Sequence, residues 1–96
     1  MRLFYWLASV GAVFWSIHKA CYEAYHDDRW IDVIKSVNRA LNTGFYNDSL
    51  YFFRGVAYES LGYFKYAKND YKMAIKNGVY EANTALERVK QKAKRK

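Results

Sequence analysis

The chain has 96 residues and a mass of 11.4 kDa, enough for one compact unit and too little for a two-domain enzyme. Hydrophobic residues make up 52% and aromatics 20%, with no Pro, five Gly and a single Cys, so disordered, collagen-like, hairpin-rich and disulfide-stapled classes are excluded and an all-α fold is expected. The net charge of +7 is uneven: Arg88, Lys90, Lys92, Lys94, Arg95 and Lys96 contribute six positive charges, whereas the residues before them hold ten Lys and Arg against all nine Asp and Glu.

Residues 3–17 run for fifteen positions without a charge, after Arg2 and before His18 and Lys19. As a helix the run reaches about 22 Å, short of a hydrocarbon core of roughly 30 Å, and it spans only if extended through Tyr22 or Tyr25, which carries Lys19 and Glu23 towards the far interface. Leu3, Trp6, Leu7, Val10, Val13 and Phe14 can alternatively cap the helices that follow, but Ser9 and Ser16 are the only conventional polar side chains of the run, so its outer face also needs a cover. Membrane insertion is the leading expectation. Burial in a partner or by self-association comes second and a cleaved signal third, since His18-Lys19-Ala20 is a poor cleavage site. On insertion, Lys19, Arg29, Lys35 and Arg39 outweigh Arg2 and place the rest of the chain in the cytoplasm.

From residue 14 onwards the chain repeats itself at an offset of 34 residues. Ala40, Gly44 and Tyr46 recur as Ala74, Gly78 and Tyr80, and Trp30, Val33, Val37 and Cys21 face Phe64, Ala67, Tyr71 and Gly55. Apolar positions such as Ala67, Tyr71, Ala74 and Ile75 fall at helical spacing, with Gly62 and Gly78 where helices stop. Two helices per unit are predicted, with repeat registers 14–47 and 48–81 in a helical body of residues 18–81.

In these residues the chain resembles the tetratricopeptide repeat (TPR) family, whose unit is a 34-residue helix-turn-helix. The second copy carries the resemblance with Gly55, Tyr58, Gly62, Phe64, Ala67, Tyr71 and Ala74, and departs from it at Tyr51, Arg54 and Val79, where the family has Trp, Leu and Pro. The first copy keeps Cys21, Trp30, Val33, Val37 and Ala40 but has Ala24 for the aromatic and Asp28 for the turn glycine. The resemblance implies a TPR-like α-solenoid of two hairpins. It also implies a concave face formed by the first helix of each unit: His18, Lys19, Tyr22 and Tyr25 from one, Ser49, Phe52, Phe53, Val56 and Glu59 from the other. The family's carboxylate clamp uses Asn and Lys where Tyr22 and Val56 stand, with His18 and Phe52 one turn earlier, so an apolar helix or extended peptide is the expected ligand.

Residues 82–96 form the predicted cap, an amphipathic helix with Ala82, Leu86, Val89 and Ala93 on one face and a basic tail too charged to pack. That tail complements its own helix dipole, or meets phosphate or anionic lipid.

Chemistry-bearing patterns are scarce. His18, Cys21 and His26 spread over too wide an arc of helix to converge on one metal ion, and a Cys21–His18 nucleophile pair lacks an orienting third group. Asp27 and Asp28 are expected to open the second helix of the first unit, where carboxylates favour the positive end. No phosphate-binding glycine loop or nucleophile elbow occurs, and Asn47-Asp48-Ser49 is a formal glycosylation sequon. No cofactor or metal is expected and no enzyme is predicted. The expected role is a small scaffold or adaptor for protein partners, tethered to a membrane or an assembly. A nucleic-acid-associated accessory protein using the basic tail, or a small structural subunit of a large assembly, is the alternative.

Overall fold

Where small and apolar residues recur three and four apart with no Pro between them, the backbone closes its own hydrogen bonds and the chain is helical. The computed structural model describes residues 19–44 and 49–94. All regular structure among the described residues is α-helix: a segment at 19–26 (α1), Trp30–Asn42 (α2), Ser49–Ser60 (α3), Phe64–Lys76 (α4) and Ala82–Lys94 (α5). The all-α class expected from composition is therefore the class that folds. The apolar run at 3–17, His18, the sequon's Asn47 and Asp48, Arg95 and Lys96 lie outside the described residues.

The turns joining α1 to α2 and α3 to α4 are the same turn 34 residues apart. The Arg29 N–H donates to the Ala24 carbonyl at 2.9 Å and the Tyr63 N–H to that of Tyr58 at 2.8 Å, while the N–H groups of Asp28 and Gly62 reach Tyr25 and Glu59 at 3.3 and 3.1 Å. This satisfies the last carbonyls of α1 and α3 and demands a left-handed residue at the bend. Gly62 supplies it at φ 87° without strain, and Asp28, at φ 58°, does so as a short polar residue that tolerates the conformation. The expectation that Asp27 and Asp28 open the second helix is corrected here. They form the bend, and α2 starts at Trp30 with Asp32 in its first turn, paired with Arg29 at 3.3 Å.

Packing follows the same period. Cys21, Val33, Val37 and Ala40 are fully buried in one core cluster with Ala24, Leu50 and Ala57. Ala67, Tyr71 and Ala74 occupy a second with Ala82, Ala85, Leu86 and Val89. Trp30 and Phe64, the equivalent aromatics that open α2 and α4, pack half-buried against these clusters. Each large aliphatic side chain so buried contributes roughly 1.5–3 kcal/mol. Gly55 lets α4 come close to α3: a Cβ there would stand 2.7 and 2.8 Å from the Tyr71 ring. Helix α3 lies at the centre of the arrangement, against α2, α4 and α5.

Candidate functional site

Tyr22 and Tyr25 of α1 and Phe52 and Phe53 of α3 form a continuous aromatic run. The Tyr25 and Phe53 ring centroids lie 4.5 Å apart, Tyr22 meets Phe53 at 6.4 Å, and Phe52 joins Phe53 at 6.4 Å and Tyr71 at 5.9 Å. Tyr22 is 56% exposed, and its ring also meets His26 at 4.2 Å. Phe52, Phe53 and Val56 are half-buried. Tyr22 therefore projects as an aromatic knob from a row whose inner members are pinned by the core, an arrangement that offers apolar contact at little entropic cost.

The other residues of the expected concave face fall into different environments. Lys19 is exposed, in a loose pair with Glu23 at 3.8 Å, and Ser49 is half-buried at the start of α3. Glu59, expected to face a partner, is instead consumed inside the chain. Its carboxylate, only 5% exposed, accepts hydrogen bonds from Arg88 Nε and Nη2 at 2.6 and 2.8 Å, from Lys92 Nζ at 2.6 Å and from the Tyr71 hydroxyl at 2.7 Å. Burial pushes this carboxyl up, but the bonds from Arg88, Lys92 and Tyr71 outweigh it and hold it at about 2. Burial foremost, and then the bond to Glu59, raise the Tyr71 phenol far above its usual value, so it remains a donor at every physiological pH.

The basic end is accordingly not a free tail over its described length. Arg88 and Lys92 belong to Glu59, and Lys90 pairs with Glu87 at 3.3 Å, whereas Lys94 is exposed. Residues 91–94 are exposed, as expected of so charged an end, but Arg88 and Lys92 reach back to the buried carboxylate on α3.

A second polar link is one the sequence does not announce. Arg54 donates through Nε and Nη2 to both oxygens of Asp70 at 2.8 Å and through Nη1 to Asn38 Oδ1 at 2.7 Å, joining α3 to α4 and α2. Its guanidinium also lies 5.5 and 5.9 Å from the ring centroids of Tyr51 and Tyr58. The available signal was the presence of Arg54 at an apolar register position together with Asp70 beside buried Tyr71, since a buried guanidinium requires a carboxylate.

Cys21 is buried and its thiol pushed up to about 11 by burial, which keeps it a packing residue and not a nucleophile. No group of three His, Cys, Asp or Glu able to hold a metal occurs among the described residues. Among them, too, no helix is long and apolar enough to cross a membrane. Compared with protein-family profiles, curated proteins and solved structures, the chain shows no match.

Proposed function

We propose that the chain is a small TPR-like adaptor that binds an apolar helix or extended peptide of a protein partner along the aromatic row of α1 and α3. Its residues 3–17 tether it to a membrane or a larger assembly. The observation that carries this reading is the exposed Tyr22 ring standing on Phe53 and continuous with Phe52. The 34-residue period of turns and buried residues supports a repeat architecture, and such units serve mainly to present surfaces. Binding, not catalysis, is the activity assigned, and Glu59 and Tyr71 serve it by locking the cap helix to the unit that displays Phe52 and Val56.

The test is a peptide-display screen against the full chain held in nanodiscs. Binders should be apolar, and Tyr22→Ala and Phe52→Ala should each weaken them about tenfold while the melting curve of the exposed-site variant Tyr22→Ala stays unchanged. Binders selected for a terminal carboxylate, or affinities indifferent to both changes, would refute the reading. Carbonate extraction tests the tether independently, and recovery of the intact chain in the soluble fraction ends it.

A further inference from the structure

Four lysines of α4, Lys65, Lys68, Lys72 and Lys76, recur at spacings of 3, 4 and 4, so they lie on one face of the helix and extend along it for about 16 Å. The opposite face holds the buried Ala67, Tyr71 and Ala74. Lys65, Lys72 and Lys76 are exposed and Lys68 is half-buried. Among the described residues none of the four makes an ion pair. The only carboxylate on this helix, Asp70, is turned inward and taken by Arg54. This contrasts with α5, whose Arg88, Lys90 and Lys92 are each paired with Glu59 or Glu87. The concentrated free positive charge of the described chain thus lies on α4 and not on the basic end.

We infer that this lysine face of α4 docks on an anionic lipid surface. Three features favour a lipid plane over a nucleic acid. The cations are lysines, compact point charges without the planar fork that reads bases or grips phosphate from two sides. They stand on the outside of a helix whose other face is packed against α3 and α5, and not in the charged groove that tracks a single strand. Beside them, Tyr66 at 56% and Met73 at 39% exposure offer an amphipathic ring and a flexible apolar chain suited to the headgroup boundary, above which lysine stems can snorkel. Docking through α4 is independent of the aromatic row and of the tether, and it adds an orientation: the even-numbered helix lies against the lipid while Tyr22 and Phe52 remain accessible.

The experiment is an acetylation footprint of the full chain in nanodiscs, read by mass spectrometry, so that anchoring through residues 3–17 cannot mask the result. Discs of phosphatidylcholine alone are compared with discs holding about one-third phosphatidylserine at about 0.15 M salt. Lys65, Lys68, Lys72 and Lys76 should react about tenfold more slowly on the anionic discs, with Lys94 unchanged. Each lysine near such a surface is worth roughly fivefold in affinity, so the Lys65→Gln, Lys68→Gln, Lys72→Gln, Lys76→Gln variant should lose about 600-fold of its preference for anionic over neutral vesicles. A Lys90→Gln, Lys94→Gln control should keep that preference. Equal reactivity on both discs overturns the proposal, as does protection confined to Lys90 and Lys94. Stronger protection of the α4 lysines by a single-stranded RNA of about twenty nucleotides than by anionic discs overturns it in favour of a nucleic-acid surface.

Discussion

The two hairpins share one backbone plan and fill it differently. Where α1 and α2 set Cys21 and Val37, α3 and α4 set Gly55 and Tyr71, an exchange of volume from one helix to its neighbour. Where the first has Ala20 and Ser36, the second has Arg54 and Asp70, and where the first has Tyr25 stacked on Phe53, the second has Glu59 bound by Arg88 and Lys92. The first hairpin is held by shape and the second by shape plus directed charge. The reason is position: α3 lies against α2, α4 and α5, so its polar side chains can fix the angle of three neighbours at once.

Breaking the Arg54–Asp70 link should have the largest effect. Asp70→Ala leaves the guanidinium of Arg54, 18% exposed, without its bidentate carboxylate and should cost about 3–5 kcal/mol, much of the stability of a unit this small. Importing the first hairpin's pair as Arg54→Ala with Asp70→Ser removes both charges and should cost only about 1–2 kcal/mol, mostly lost packing. Urea unfolding of the three proteins decides it. A double variant as unstable as Asp70→Ala would mean that the charge pair itself, and not the stranded arginine, sets the loss.

Acid should separate the hairpins next. The Glu59 carboxyl lies at about 2 in the folded chain against an ordinary value of 4.5, so its contribution is complete above pH 4.5 and is lost as the pH falls towards 2. The difference corresponds to about 3 kcal/mol. The first hairpin has Tyr25 at this place, with no carboxylate there to protonate. Hydrogen exchange followed down the pH scale should therefore show α5 and the end of α3 opening before α1 and α2, and Glu59→Gln should flatten the stability curve between pH 4.5 and 2. An unchanged slope in that variant would refute the assignment.

The exchange of volume can be tested by transplanting it. Gly55→Cys forces a side chain into the space of the Tyr71 ring and should cost about 2 kcal/mol, while Tyr71→Val opens a cavity and leaves the Glu59 bond unmade. Combined, the two changes reproduce the Cys21–Val37 pair. The double variant should be more stable than the sum of the single losses predicts by at least about 1 kcal/mol, as read from urea midpoints.

These contrasts mark what was legible in the sequence. Helices and period were readable because Ala67, Tyr71 and Ala74 repeat Val33, Val37 and Ala40 at helical spacing, with Gly62 and Gly78 marking stops. The links of Glu59 to Arg88 and Lys92 were not, since they join residues 29 and 33 apart and depend on how α5 crosses α3. A carboxylate on a helix face reads as surface until its partners are placed. The α4 lysines are legible in spacing, but charge summed along the chain conceals them, because acids that balance them in number, such as Asp70 and Glu59, are turned inward to other cations.

The smallest expected effect lies at the bends, where its sign is the informative quantity. A left-handed conformation costs an ordinary residue about 1–2 kcal/mol, and an Asp somewhat less because its short side chain bonds locally. Asp28→Gly removes that strain but adds about 0.5–1 kcal/mol of unfolded-state entropy, so the net gain should stay below about 0.5 kcal/mol. Asp28→Asn keeps the side chain and the left-handed tolerance and should be close to neutral. At the equivalent bend, Gly62→Ala puts a Cβ at φ 87° and should lose about 1 kcal/mol. Urea midpoints of these three variants test whether both hairpins turn on the same backbone. If Gly62→Ala proved neutral while Asp28→Gly gained more than 1 kcal/mol, the second bend would tolerate a right-handed residue and the two turns would not be equivalent.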